Sequence, residues 1–398
     1  MGRLLYDLQV VNQRSIDKLR TEATNIGKAS FALAWVMDST SEERSRGITV
    51  DIATNHFETA NTRFTILDAP GHRDFIPNMI AGASQADFAV LVIDASTNAF
   101  EAGLRGQTKE HALLVRSMGI SRLIVAVNKM DAATWSDSRF TEITQQTTAF
   151  LTAAGFLPKN LAFIPCAGLT GENIATPPPS PSPMPWYAGP TLLTALETSA
   201  PSPTRALSSP LRLTVSDIFR GSVNQPLSIS GRLDAGSLQS GDTILAMPSG
   251  ELATVKGIEV DNMAQDWAVA GQIATLHLSD IDPVHLRLGD IVCDPVRQPV
   301  KNATWFTAKV LAFEHLTPGW VDVHKGRMQA TARITALVAV LDKGSGAVEK
   351  KKPRIVKPGA VARVRVELEE KMPLEAPGRV VLRSEGQTIA AGLLEEVG

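Results

Sequence analysis

Two short polar runs, each closing an apolar stretch, carry the chemistry of this sequence. Leu123–Val127 leads into Asn128, Lys129, Met130 and Asp131, and Phe64–Leu67 leads into Asp68, Ala69, Pro70, Gly71 and His72. A carboxylate can accept two parallel N–H donors. Asp131 could therefore take N1–H and the 2-amino group of guanine, a donor pair that adenine lacks. The Asn128 amide can tie neighbouring loops together, and the stem of Lys129 can cover a flat base. Asp68 suits the outer shell of a magnesium ion, and Gly71, having no Cβ, lets a backbone N–H approach a terminal phosphate. His72 would flank an attacking water and position it. Alone, N-K-x-D is a common surface turn and D-x-x-G is weaker still. Their order, sixty positions apart and each at the end of a strand candidate, points to a guanine nucleotide.

Two further pieces join them. Glu42-Glu43-Arg44-Ser45-Arg46-Gly47-Ile48-Thr49 lies upstream of Asp68. A Thr in a charged loop can offer its hydroxyl to magnesium and its N–H to a γ-phosphate, so that the loop orders around the triphosphate; a solvated loop before an edge strand is the ordinary reading. Cys166-Ala167-Gly168-Leu169 follows the apolar run Leu161–Ile164, and the N–H of Ala167 is the expected contact to guanine O6. No G-x-x-x-x-G-K-S/T motif occurs in the 398 residues. Gly27-Lys28-Ala29-Ser30 is no substitute, because Glu22 stands five positions before Gly27 and no strand precedes it.

The elements that must position these residues alternate. Strand candidates at 63–68, 88–94, 122–128 and 161–166 are separated by helical stretches near 75–86, 107–118 and 137–155, the rhythm of a parallel sheet covered on both faces. Ligands of such sheets lie off the carboxyl ends of the strands, where both polar runs fall. The sheet reads one central strand short at its start. The Pro-rich run 176–185 should be an extended, exposed insertion. Helix resumes over 190–197, and residues 199–204 form a linker, which bounds a first domain at 1–200. Beyond it, short alternating runs with glycine turns near every ten residues predict two small antiparallel β-barrels, over 205–298 and 299–398.

Composition bounds the rest. A hydrophobic fraction of 44% and a charged fraction of 20% are ordinary for a globular protein. The formal net charge of −2 excludes a generally basic nucleic-acid coat but leaves room for a local patch, and Glu349-Lys350-Lys351-Lys352-Pro353-Arg354 is basic enough to meet RNA phosphates, or to be a solvated hairpin tip. With only Cys166 and Cys293 there is no disulfide framework. No apolar run approaches the ~20 residues of a membrane helix, and the first residues do not form a signal peptide, so a cytoplasmic location is expected. His111 reads as a helix-packing histidine, and Trp35, Trp305 and Trp320 as core or interface anchors.

With these residues in view, the chain resembles the translational GTPases of the elongation factor 1-alpha group over nearly its whole length. Gln13–Arg20, Ser30–Asp38 and the Glu42–Thr49 run look most like the ribosome-rescue branch, which acts in no-go decay with a Pelota-type relative of the peptide-release factor. The resemblance implies GTP or GDP with Mg2+ as cofactors, Thr49 and Asp68 on the metal, Asp68 to His72 on the γ-phosphate side, and His72 as the catalytic residue. It places Asn128, Lys129, Met130, Asp131 and the loop Ala167, Gly168 and Leu169 on guanine. It implies that the barrels, where Gly231–Gly236 and Gly378-Arg379 match family positions, dock the ribosome and the protein partner, and that the protein is a monomer. It also implies a strand and phosphate loop ahead of the segment Gly2–Asp7, so the sequence is expected to be an N-terminally truncated form. Two alternatives stay open: a nucleotide-free scaffold of the same family, and a carrier of aminoacyl-tRNA.

Overall fold

The computed structural model describes residues 1–25, 27, 32–37, 43–44, 49–105, 107–199, 205–219 and 227–398. Lys28 to Ser30, Glu42, residues 45–48 of the charged loop and residues 200–204 of the expected linker lie outside these. The chain forms two compact units, Met1–Ser202 and Pro203–Gly398.

In the first unit, β1 (Ala53–Glu58) and β2 (Arg63–Asp68) make an antiparallel hairpin, with the rings of Phe57 and Phe64 stacked 4.8 Å apart. β3 (Ala89–Asp94), β4 (Leu123–Asn128) and β5 (Leu161–Pro165) make a parallel sheet in that order. Its register sets Asp94 opposite Asn128, so two polar side chains arrive together at the carboxyl edge. The sequence reads 63–68 as a strand of the parallel sheet. Among the described residues, however, β2 hydrogen-bonds to β1 alone. Its apolar face reaches the core through side chains instead: Phe64 and Ile66 share a buried cluster with Ile124, Ala126 and Ile164. Leu4 and Leu5 of α1 (Gly2–Asp7) are fully buried in the same cluster.

Helices α2 (Gln13–Asn25), α3 (Ile76–Gln85), α4 (Ala99–Arg105), α5 (Gln107–Ser117), α6 (Asp137–Ala153) and α7 (Leu192–Ser199) complete this unit. α6 begins where the Ser136 hydroxyl accepts from the N–H of Arg139, a side-chain cap for an orphan donor. The Pro-rich run is largely exposed as expected, but Met184 within it is buried. The following Trp186 packs on Phe140 and donates from Nε1 to the carbonyl of Trp135 at 2.9 Å, which fastens the insertion beside the Asn128–Asp131 loop.

The second unit holds two barrels. The first uses β6 (Arg212–Phe219), β7 (Leu227–Ala235), β8 (Ser237–Gln239), β9 (Thr243–Met247), β10 (Glu251–Val260), β11 (Met263–Gln265), β12 (Trp267–Val269), β13 (Ile273–Ser279) and β14 (Ile291–Cys293). Pairing of β9 with β10 closes a ring of six strands, β10-β13-β7-β6-β14-β9. The second uses β15 (Asn302–Ala312), β16 (Gly319–Lys325), β17 (Met328–Leu341), β18 (Val348–Lys351), β19 (Val361–Pro373), β20 (Arg379–Ser384) and β21 (Gln387–Val397). Pairing of β16 with β17 closes β16-β20-β21-β15-β19-β17, leaving β18 outside the ring. Alternation fills each interior, with Leu213, Val215, Ile229 and Leu276 in one and Phe306, Val364, Val366 and Leu382 in the other. Three ion pairs among the described residues cross from one barrel to the other: Arg212 grips Glu375 with Nε and NH2 at 2.6 Å each, Arg287 meets Glu370 at 3.4 Å, and Arg327 approaches Asp217.

Candidate guanine-nucleotide site

The loops after β3, β4 and β5 are tied to one another by hydrogen bonds. Asn128 Oδ1 accepts from the N–H of Gly168 at 2.7 Å, and a Cβ at Gly168 would stand 3.0 Å from that oxygen, tighter than ordinary contact. The Asn128 carbonyl accepts from the N–H of Ala95, and the Cys166 carbonyl from the N–H of Met130. Lys129 takes a left-handed φ of 61°, and its Nζ meets Asp94 Oδ2 at 2.7 Å. Burial alone would raise the Asp94 carboxyl, but the hydrogen bonds from Lys129 and Ser96 outweigh it and hold the group below its usual range. Met130 is buried, turning inward between Lys129 and Asp131. Asp131 is exposed and its carboxylate makes no hydrogen bond or ion pair among the described residues. An anchored loop thus presents an open acceptor pair.

In the third loop, the Ala167 N–H, read from the sequence as the base contact, donates to the carbonyl of Glu172 at 3.1 Å. With the Gly168 N–H on Asn128, the N–H groups of Leu169 and Thr170 make no hydrogen bond among the described residues. Arg3 of α1 steadies the loop, donating from NH1 to the Leu169 carbonyl at 3.2 Å while its Nε holds Asp7. Burial drives the Cys166 thiol up to about 12, the Met1 ammonium pulling down and Asp131 pushing up, so Cys166 is a neutral core group.

The second group of residues gathers at the end of β2. Thr49 is half-buried in a segment fixed from two sides: Glu43 Oε1 accepts from the N–H of Val50 at 3.0 Å, and Asn78 Nδ2 donates to the Val50 carbonyl at 2.8 Å. Burial raises the Asp68 carboxyl; the Met1 ammonium pulls it back and Glu43 pushes it further up. Ala69 and Pro70 turn the chain under cover, and Gly71 and His72 emerge into solvent. His72 Nδ1 accepts from the N–H of Asp74 at 3.3 Å, and its ring tilts against Phe75. His111, read as a packing residue on α5, lies directly beneath: a Cβ on Gly71 would stand 3.7 Å from its Cε1. Burial lowers the His111 imidazole, and its buried Nε2 has no hydrogen-bond partner.

Sequence reasoning passed over Asp94, Glu43, Asn78 and Arg3. Asp94 carried a signal, since it closes an apolar run as Asp68 and Asn128 do, and Glu43 stands in the charged run seven residues before Val50; Asn78 and Arg3 act through contacts between distant segments and carried none. Among the described residues no cluster of three or more His, Cys, Asp or Glu side chains could hold a metal. Magnesium at nucleotide sites relies on one or two protein oxygens beside phosphate, and the hydroxyl of Thr49 and the carboxylate of the half-buried Asp68 are oxygen donors of that chemical type.

The fold and these motifs define a class, and comparison with known proteins agrees. The profile described as elongation factor Tu GTP binding domain matches residues 1–202, and that of the GTP-eEF1A C-terminal domain-like family matches 305–395. The chain belongs to the translational GTPase family of elongation factor Tu and elongation factor 1-alpha. It is 42% identical over 409 residues to Protein HBS1 of Drosophila melanogaster, covering 100% of this chain and 61% of that protein. It is 36% identical over 413 residues to elongation factor 1-alpha of Entamoeba histolytica, covering 100% of this chain and 91% of that protein. The fold is that of the S. cerevisiae Ski7 GTPase-like domain solved with GDP and inorganic phosphate, at a TM-score of 0.79, 20% identity, and coverage of 99% of this chain and 93% of that one. No helix among the described residues is long and apolar enough to cross a membrane.

Proposed function

We propose that the first unit recognises guanine nucleotides and that the chain serves as a translational GTPase in the rescue of stalled ribosomes, with a Pelota-type relative of the release factor as protein partner. One observation carries the nucleotide reading: the open carboxylate of Asp131 stands on a loop locked by Asn128–Gly168 and Lys129–Asp94. A rigid acceptor pair is what guanine selection needs, because a mobile one would lose rotamer entropy on binding. Asn128, Lys129 and Met130 fix the loop, and Ala167, Gly168 and Leu169 close the base side, with the Leu169 N–H free to meet O6. On the phosphate side, Thr49 and Asp68 would hold magnesium, which when bound offsets phosphate charge. Ala69 and Pro70 set the turn, Gly71 brings a backbone N–H to the terminal phosphate, and His72 positions water for hydrolysis. The barrels present the surfaces for ribosome, ribosomal RNA and protein partner.

The test is a titration of fluorescent GTP, GDP and ATP with magnesium. It is run on this chain and on one carrying a strand and phosphate loop ahead of Met1, each with and without Asp131→Ala. The extended chain should bind GTP and GDP over ATP, and Asp131→Ala should abolish that preference. Equal binding of ATP, or a preference that survives Asp131→Ala, would overturn the assignment.

A further inference from the structure

Arg139, in the first turn of α6, follows the Asn128–Asp131 loop in the chain but spends its guanidinium on the loop after β3. Nε donates to the Ala95 carbonyl at 3.0 Å and NH2 to the Ser96 carbonyl at 3.3 Å. NH1 meets Glu101 at 2.8 Å and Glu142 at 2.9 Å. The guanidinium carbon lies 5.5 Å from the centre of the buried Phe100 ring, and only 15% of the side chain is exposed. The helix that carries it is fixed by the buried Ile143, Thr147 and Leu151. A planar fork on a rigid element thus closes over a turn that is neither helix nor strand.

That turn is what orients Asp94. The Ser96 N–H donates to Asp94 Oδ1 at 2.9 Å, Lys129 Nζ takes Asp94 Oδ2 at 2.7 Å, and the Ala95 N–H donates to the Asn128 carbonyl at 2.9 Å. One guanidinium therefore closes a chain of contacts that runs through residues 95 and 96 to Asp94, and from Asp94 to Lys129 in the base-recognition loop. The loop needs such a hold. Lys129 is left-handed at φ 61°, as are Thr134 at 51° and Trp135 at 54°, and side chains beyond glycine persist there only where the surroundings over-determine them. A lysine at position 139 could reach one of the two carbonyls, but a point-like ammonium cannot span both and a carboxylate as the fork does.

We propose that Arg139 is a positioning residue for purine recognition: by locking the turn after β3 it holds the Asp94–Lys129 pair and keeps the Asp131 carboxylate in the geometry that selects guanine. This deepens the nucleotide reading above and rests on it for the ligand; its first test uses no nucleotide, so the two fail separately. Amide hydrogen exchange of the full chain is followed residue by residue by NMR, beside Arg139→Gln, Arg139→Lys and Glu142→Gln. Arg139→Gln should speed exchange at Ala95, Ser96, Met130 and Gly168 by about tenfold or more and leave the β4 and barrel amides unchanged. Arg139→Lys should recover only a minor part of that protection, and Glu142→Gln, which removes the exposed arm alone, should change none of it. In the unaltered chain the Arg139 Nε proton should itself exchange slowly, a readout that needs no variant.

The second test follows fluorescent GDP and ADP on the chain extended as above. Arg139→Gln should raise the GDP dissociation rate about tenfold, leave the association rate within about twofold, and narrow the preference for GDP over ADP. The proposal is overturned if the four amides keep their protection in Arg139→Gln, if the whole first unit exchanges faster together, if Arg139→Lys matches the unaltered chain, or if the Arg139 Nε proton exchanges freely. Loosened amides beside an unchanged preference for GDP would also overturn it. Loosened amides in a chain that never prefers GDP would instead overturn the nucleotide reading and, with it, the ligand named here.

Discussion

The two units treat their sheet edges in opposite ways. Each barrel returns its last strand to its first, through β9–β10 and β16–β17, and the backbone groups of the ring are spent on one another. In the first unit, β3 has β4 as its single partner among the described residues, and Val92 in the middle of its apolar run is 54% exposed. β4, flanked on both sides, is buried along nearly its whole length. The open sheet is also the one whose strand ends carry Asn128 and Asp94, while Asp68 closes β2 of the separate hairpin. Closure leaves the barrels with surface as their functional resource, whereas the open sheet keeps a row of strand ends whose loops can be tuned separately.

If this contrast reflects two independent cores, each should fail alone. Phe306→Ala removes a fully buried ring from the second barrel and should cost about 3–5 kcal/mol, while Ile124→Ala in the first unit should cost about 2–5 kcal/mol. Scanning calorimetry should show each variant lowering a different transition; a shift of both by either one would break the division.

The next largest effect is a pair of opposed pH dependences within the barrel unit. Burial pushes the Asp290 carboxyl up from 3.8 to about 6, against the pull of the Arg287 N–H and guanidinium. The native state then holds this proton where the unfolded state has lost it, so its stabilising contribution is present at low pH and declines as pH rises from 3.8 to about 6. Burial, with Arg383 nearby, lowers the His324 imidazole from 6.5 to about 4. That contribution is full above 6.5 and is lost as pH falls toward 4. Each is of order 3 kcal/mol. Denaturant titrations from pH 4 to 7 should show Asp290→Asn steepening the rise of stability with pH, and His324→Gln flattening it.

Smaller still is the cross-barrel clamp. Glu375→Gln removes a charge-assisted pair whose carboxylate is partly solvated, and should cost about 1–2 kcal/mol in the barrel transition and nothing in the other. Val92→Lys sharpens the contrast at least expense: it should change stability by no more than about 0.5 kcal/mol while slowing aggregation seen by light scattering.

Much of the architecture is legible along the chain. The strand candidates at 63–68, 88–94, 122–128 and 161–166 meet β2 to β5 within a residue, because short apolar runs, three of them closed by Asp or Asn, leave little choice of conformation or length. The helices α3, α5 and α6 follow for the same reason. Both barrels were announced by alternation and regular glycine turns. What could not be read was pairing. The run Phe64–Asp68 has the composition of a central parallel strand, but its ladder partner is set by which neighbour is present in space, and that neighbour is β1. Met184 shows the same limit: a run of prolines predicts an extended backbone but not which of its side chains finds a hollow.

The sequence by itself determined the residue types of the candidate site, the order of its motifs and the class of each domain, since these depend on local periodicity and on the chemistry of single side chains. Only the tertiary structure decided what those residues touch. It set Asp94 on Lys129, Glu43 and Asn78 on the Thr49 segment, Arg3 on the Leu169 carbonyl and His111 under Gly71. It engaged the Ala167 N–H with the Glu172 carbonyl. Most of these are contacts between segments far apart in the chain. Such contacts follow from how cores pack and sheets register, a property of the whole fold that no local window of sequence contains.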